Sequence, residues 1–304
     1  MSLDLRSSYP ALCLTGAAAA WGIATVISKR AVRELPPLFL LGVQLSVSVT
    51  VLLIVTWAMR QPVVWSPGLR RLGALGLLNP GVSYTLGLLG LAHIRASTSV
   101  LLWAVEPVLI VALARVVLRD RISWPAGFAI IAAMGGVLLI VGQSGVGGAV
   151  PGVLLTLAGV GACAVYTVIC RKLLADDAAL PVVLVQQVAA LVFAVGLLAV
   201  AWLVRPLPVL GPVSVWGWVS AIVSGALYYG VGFGLYLAGL RRVRANVAAM
   251  YLTLIPVFGV AAGYLLLAEQ LSGRQWAGAV LVVAAVLAAT TLRRSAAAAT
   301  SADR

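Results

Sequence analysis

Glu106 is the only acidic side chain well inside one of the long apolar stretches of this 304-residue chain, and it carries the sharpest chemical signal. A charged group at the centre of a membrane helix costs about 2.5–3.5 kcal/mol on insertion scales, so this carboxyl needs a wet cavity or a partner. Ionised, it attracts an ammonium group; protonated by desolvation, it carries a proton against the flux of a solute, which makes Glu106 the proton-coupling candidate. The alternative stands beside it: the carboxyl only satisfies backbone groups freed by Pro107. Trp103 and Ser99 lie three and seven residues earlier and share its helical face, a lining suited to a neutral or amphipathic organic molecule. Trp21, Thr25, Asn79, Ser83, Tyr84, Tyr166, Tyr229 and Tyr251 fall at similar depth in other apolar stretches and complete the candidate substrate cavity. Pro107 and Pro256 each remove a backbone hydrogen bond, which predicts either hinges or static kinks, and Asn79-Pro80-Gly81 adds a third break within the third apolar span.

Enzyme chemistry has little to work with. His93 is the lone histidine, and Asp176-Asp177 is a loop pair without a second acidic cluster, so no metal site and no cofactor is expected. Cys163 and Cys170 are seven residues apart, about 10 Å along a helix, and with Cys13 they form neither a disulfide framework nor a zinc signature. The glycines of Tyr228-Tyr229-Gly230-Val231-Gly232-Phe233-Gly234 have the small-x-x-x-small spacing of close helix packing rather than the setting of a nucleotide loop.

The elements that must position these groups follow from composition. Hydrophobic residues make up 62% of the chain and charged ones 10%, against about 25% charged in a soluble domain. Mean hydropathy is +1.10. Soluble globular, disordered and disulfide-scaffold classes are excluded, and the reading is an all-α integral membrane protein in a lipid bilayer. Ten spans are predicted, near 9–28, 37–59, 72–92, 96–118, 124–142, 152–172, 181–204, 213–238, 245–267 and 275–292. The first reads as a retained helix, being longer than a secretion signal's apolar core. Net charge is +13, but the basic residues come in twos and threes between apolar runs, which argues for membrane orientation and against nucleic acid. Fourteen of them fall on one side of the spans and six on the other, placing both termini in the cytoplasm.

The halves, 1–147 and 148–304, resemble each other. Thr25-Val26-Ile27-Ser28-Lys29-Arg30 recurs as Thr167-Val168-Ile169-Cys170-Arg171-Lys172, 142 residues later. Arg95-Ala96-Ser97, Pro107-Val108 and Asp120-Arg121-Ile122-Ser123 recur as Arg244-Ala245-Asn246, Pro256-Val257 and Glu269-Gln270-Leu271-Ser272, at an offset of 149. Five spans per half is an odd number, so the two five-helix repeats are inverted. That is a device of secondary transporters, which exchange two near-equivalent halves about a water-accessible midplane site.

The paired halves, Glu106-Pro107-Val108 with Ile255-Pro256-Val257, the acids Asp120 and Glu269, and the later Gly127 and Gly278 resemble the EamA family of the drug/metabolite transporter superfamily. The resemblance covers nearly the whole chain and departs from the family pattern in having Asp120 rather than Glu in the first copy. Within the family the chain is most similar to bacterial amino acid exporters, including the aromatic amino acid exporter YddG type. The resemblance implies export of amino acids across a bacterial inner membrane, with helices 1, 3, 4, 6, 8 and 9 around the site and 5 and 10 bracing it. A drug or nucleotide-sugar carrier or facilitator is the first alternative, and a membrane enzyme or scaffold the second.

Overall fold

The computed structural model describes residues 5–61, 63–106, 108–110, 112–113, 124–141, 149–173, 179–204, 211–240, 251–252 and 254–285. Pro107, Asp120, Asp176, Asp177 and Arg244-Ala245-Asn246 lie outside them. The described residues form helices and connecting turns. In chain order they are α1 (Leu5–Ala31), α2 (Pro37–Ala58), α3 (Pro67–His93), α4 (Ala96–Trp103), α5 (Trp124–Val141), α6 (Ala149–Leu173), α7 (Ala179–Val204), α8 (215–240), α9 (Ile255–Leu267) and α10 (273–285). Six of these, α1, α2, α3, α6, α7 and α8, are long and apolar enough to cross a membrane, and α4 runs on as an apolar helix to Ile110.

Local chemistry sets the ends. Pro37 opens α2 at a position where its missing N–H costs nothing. Ser66 and Ser214 cap α3 and α8, each accepting a hydrogen bond from the amide three residues on, at 3.0 Å. Ala268 ends α9 in the left-handed region at φ 53°, and the Glu269 amide then returns to the Gly263 carbonyl at 3.1 Å. That turn aims the Glu269 side chain at the start of α4.

Two helices are broken in the middle. α3 contains a wide turn at Leu78–Val82, where Asn79 leaves helical geometry (φ −143°, ψ 119°), and α8 contains one at Ala226–Val231. Leu78 and Leu227 are separated by the same 149 residues found in the sequence repeat. Contacts between the halves come in matching pairs. α1 packs on the second part of α8 and on α9, and α6 packs on the second part of α3 and on α4; α2 meets the first part of α8, and α7 the first part of α3.

The main core lies where α1, α2, α3, α7 and α8 meet, around Leu40, Leu41, Leu45, Leu88, Leu91, Ala190 and Tyr229. A second joins α4, α5 and α10 around Leu101, Ala133, Ile140 and Val282. Close approach there depends on Gly136 and Gly278: a β-carbon on either would come within 2.8 Å of the other's carbonyl oxygen. Ile131, Met134 and Leu138 line the outward side of α5 and are exposed, as lipid contact requires.

Candidate functional site

α1, α2, α3, α4 and α8 surround a small void lined by Thr25, Ser28, Gln44, Tyr84, Ser99, Trp103, Tyr228 and Tyr229. The rings set its shape. Tyr84 stacks on Trp103 with centroids 5.4 Å apart and planes at 18°, and it meets Tyr228 and Tyr229 edge-on at 5.2 and 5.4 Å. Gly87, one turn after Tyr84, makes room for the indole: a β-carbon there would lie 3.0 Å from Trp103. The break in α8 supplies both Tyr228 and Tyr229 and frees the Tyr228 carbonyl, which accepts a 2.8 Å bond from Trp21 Nε1. Trp21 thereby closes the α1–α8 seam beside the void rather than lining it, with Phe233 and Tyr236 at 5.3 and 5.6 Å.

The polar side of the void is a neutral network. Gln44 Nε2 donates to Ser28 Oγ at 2.9 Å and to Ser224 Oγ at 2.7 Å, joining α2 to α1 and α8. Thr25 donates to the Trp21 carbonyl at 3.0 Å, and Ser99 is buried on α4. Four residues after Gln44, Ser48 donates to Gln187 Oε1 on α7, while Gln187 Nε2 is buried without a partner among the described residues. Buried amides and hydroxyls in an apolar bundle are costly to leave unsatisfied, so this network fixes how α2 sits against α1, α7 and α8.

Glu106 stands past Trp103 on the same helix, and Cys163 of α6 donates to its Oε1 at 3.3 Å, while the Thr167 hydroxyl donates to the Cys163 carbonyl at 3.0 Å. The predicted residues therefore divide. Thr25, Tyr84, Ser99, Trp103 and Tyr229 converge on the void. Ser83 spends its hydroxyl on the Gly159 carbonyl of α6 at 2.8 Å, and Tyr166 donates to Gln186 Oε1 at 2.8 Å, while Gln186 Nε2 donates to the Leu72 carbonyl at 3.0 Å. Asn79 is buried in the α3 break with Oδ1 unpartnered among the described residues, outside the void, and Tyr251 is half-buried before α9.

Pro256 was expected inside a continuous helix from 245 to 267. It occupies the first turn of α9 after a turn at Leu254, where its lost N–H is of no consequence. The expected water-accessible midplane cavity is here a void of only about 30 Å³, room for one water, because the four aromatic rings fill the space. Gln44, Ser28, Gln186 and Gln187 escaped the sequence reading. The signal was present in Gln186-Gln187, the one adjacent pair of amides in the chain.

A larger cavity of about 540 Å³ opens at one end of the bundle, where the ends of α1, α3 and α9 meet the start of α4. There Glu269 accepts from the Ala96 and Ser97 amides at 2.9 Å and from Ser97 Oγ at 2.7 Å, capping α4 from a distant part of the chain. Among the described residues no group of three metal-ligating side chains occurs.

Residues 9–142, and again residues 150–291, match the EamA-like transporter family. An uncharacterized transporter of Archaeoglobus fulgidus is 26% identical over 263 residues, 86% of this chain and 92% of that protein. An uncharacterized transporter of Buchnera aphidicola subsp. Schizaphis graminum is 26% identical over 105 residues, 34% of this chain and 35% of that protein. A solved structure, described as a crystal structure of a protein, shares the fold with a TM-score of 0.67 at 19% identity, over 94% of this chain and 98% of its own. With the apolar helices and a family match over most of its length, this multi-pass membrane chain belongs to the EamA-like transporter family.

Proposed function

We propose that the protein is a secondary transporter exporting small organic metabolites, amino acids foremost, by alternating access around the aromatic void. The convergence of Tyr84, Trp103, Tyr228 and Tyr229 with the neutral donors and acceptors of Thr25, Ser28, Gln44 and Ser99 carries the reading. Rings bind an apolar body, and the amide and hydroxyls orient polar atoms, which suits an aromatic amino acid better than a phosphorylated solute.

In this proposal the chain crosses a bacterial inner membrane ten times, as inverted repeats 1–147 and 148–304, with both termini cytoplasmic. The recurrence at a 149-residue offset of the breaks in α3 and α8 supports the repeat, and the distribution of basic residues supports the orientation. The small volume of the void corresponds to a closed stage of the cycle. Glu106, held by Cys163, is the group that binds a proton or the substrate's ammonium, and the turns that Pro107 and Pro256 follow are the hinges about which the halves rock.

The test is flux in proteoliposomes. Saturable counterflow of labelled phenylalanine, tyrosine or tryptophan supports the proposal. No flux of any amino acid, with turnover of a lipid substrate by the same preparation, overturns it in favour of an enzyme.

A further inference from the structure

The cavity at the end of the bundle has a charge character unlike that of the aromatic void. Lys29, Arg33, His93 and Arg95 line it, with Glu269 and Gln270. Lys29 is half-buried and donates to the Leu91 and Ala92 carbonyls at 2.7 and 3.2 Å, and Arg95 donates to the Gln270 carbonyl at 3.0 Å. These partners are neutral and leave both charges whole. Arg33 is exposed on the turn after α1. Glu269 is the one carboxylate on the wall, and both of its oxygens are already engaged by the start of α4. Three basic side chains thus line, with one carboxylate whose oxygens already accept from the start of α4, a concave space of about 540 Å³, within the range of small-molecule sites.

We infer that this cavity is a binding subsite for a small organic carboxylate, separate from the aromatic void, and that Arg33 and Arg95 grip the anion beside Lys29. Guanidinium forks match a carboxylate in plane, while Lys29 supplies a fixed point charge pinned by its two carbonyls. The inference deepens the transport reading and rests on it for one point: the carboxylate of a transported solute occupies the subsite on its way to or from the void.

Lys29 and Lys172 are the only lysines in the chain, so each can be followed by mass spectrometry. Full-length protein in phosphatidylcholine nanodiscs is acetylated with and without benzoate, benzamide or inorganic phosphate. At benzoate about ten times its Kd, acetylation of Lys29 slows about tenfold while that of Lys172 is unchanged, and benzamide has no effect. In the Arg33→Gln/Arg95→Gln variant, checked for an unchanged melting temperature, the protection is lost. The benzoate–benzamide contrast in the unaltered protein stands if that variant fails to fold. Equal protection by benzamide, no protection by benzoate, or protection only by phosphate or by added phosphatidylglycerol overturns the inference, the last two assigning the cavity to inorganic anions or lipid headgroups. Protection without flux in proteoliposomes would leave the subsite standing and remove the transport reading.

Discussion

Val105 and Leu254 make the same hydrogen bond 149 residues apart: the Val105 amide donates to the Leu102 carbonyl at 3.1 Å, and the Leu254 amide to the Tyr251 carbonyl at 3.0 Å. Each is a three-residue bond that tightens one turn, with a Pro-Val pair beginning two residues on. Such paired tight turns are where two halves can bend alike. Substituting Pro107→Ala and Pro256→Ala together should therefore slow amino acid counterflow about tenfold, a barrier rise of about 1.4 kcal/mol, with little change in substrate affinity. Initial rates and KM from proteoliposomes check this; unchanged rates would reduce both prolines to static kinks.

Glu106 and Cys163 form the next pair to test. Glu106→Gln should abolish the pH dependence of flux, because the amide cannot exchange a proton, while Glu106→Asp retains it. Cys163→Ser keeps a donor and should preserve the pH profile, whereas Cys163→Val should displace it. Flux measured across the pH range on both sides of the vesicle separates these outcomes from simple loss of folding.

On the proposed reading the aromatic lining sets affinity. Tyr84→Ala removes a ring that an aromatic substrate would stack against, a contact worth about 0.5–1.5 kcal/mol, and should weaken phenylalanine binding severalfold. Tyr84→Phe keeps the rings and should bind nearly as the unaltered protein does. Equilibrium binding to detergent-purified protein distinguishes them.

Outside the membrane, Glu34 accepts from the Ser214 amide at 2.8 Å and from its hydroxyl at 2.9 Å, which holds its carboxyl below the ordinary carboxylate range. Since the folded value is the lower one, the contribution is complete above the unfolded pKa and is lost as pH falls through the folded one. Hydrogen-exchange protection of Gly217 and Trp218 at the start of α8, taken relative to the intrinsic rate at each pH, should fall on acidification through that window. Glu34→Gln should remove the fall.

Ala268→Gly tests the turn that aims Glu269. A left-handed alanine costs about 1–2 kcal/mol that glycine does not, so the variant should melt higher. A lower melting temperature would mean that the alanine side chain contributes packing that outweighs the backbone relief.

Much of the architecture was legible because membrane helices are written as apolar runs with charged or proline punctuation. The second span was expected at 37–59 and α2 is Pro37–Ala58, bounded by Pro36 before it and Arg60 after it. The break in α3 was legible in Asn79-Pro80-Gly81, a proline and a glycine inside an apolar run, but the wide turn in α8 was not, since it depends on what packs against it: the Trp21 indole takes the Tyr228 carbonyl from another helix. The site was half legible. Tyr84, Trp103 and Tyr229 stand out in apolar runs, but nothing local tells that Ser83, next to Tyr84, points away to Gly159. The amides were overlooked because a single glutamine barely perturbs an apolar run, although Gln44 and Ser48 share a helix face four residues apart.

The four rings packed between α1, α3, α4 and α8 leave less room than even a glycine molecule requires. On the proposed reading, cargo cannot drop into a waiting chamber; it has to prise the Tyr84–Trp103 stack apart. Loading and reshaping are then one event, and selectivity belongs to whichever molecule best repays the rings for parting.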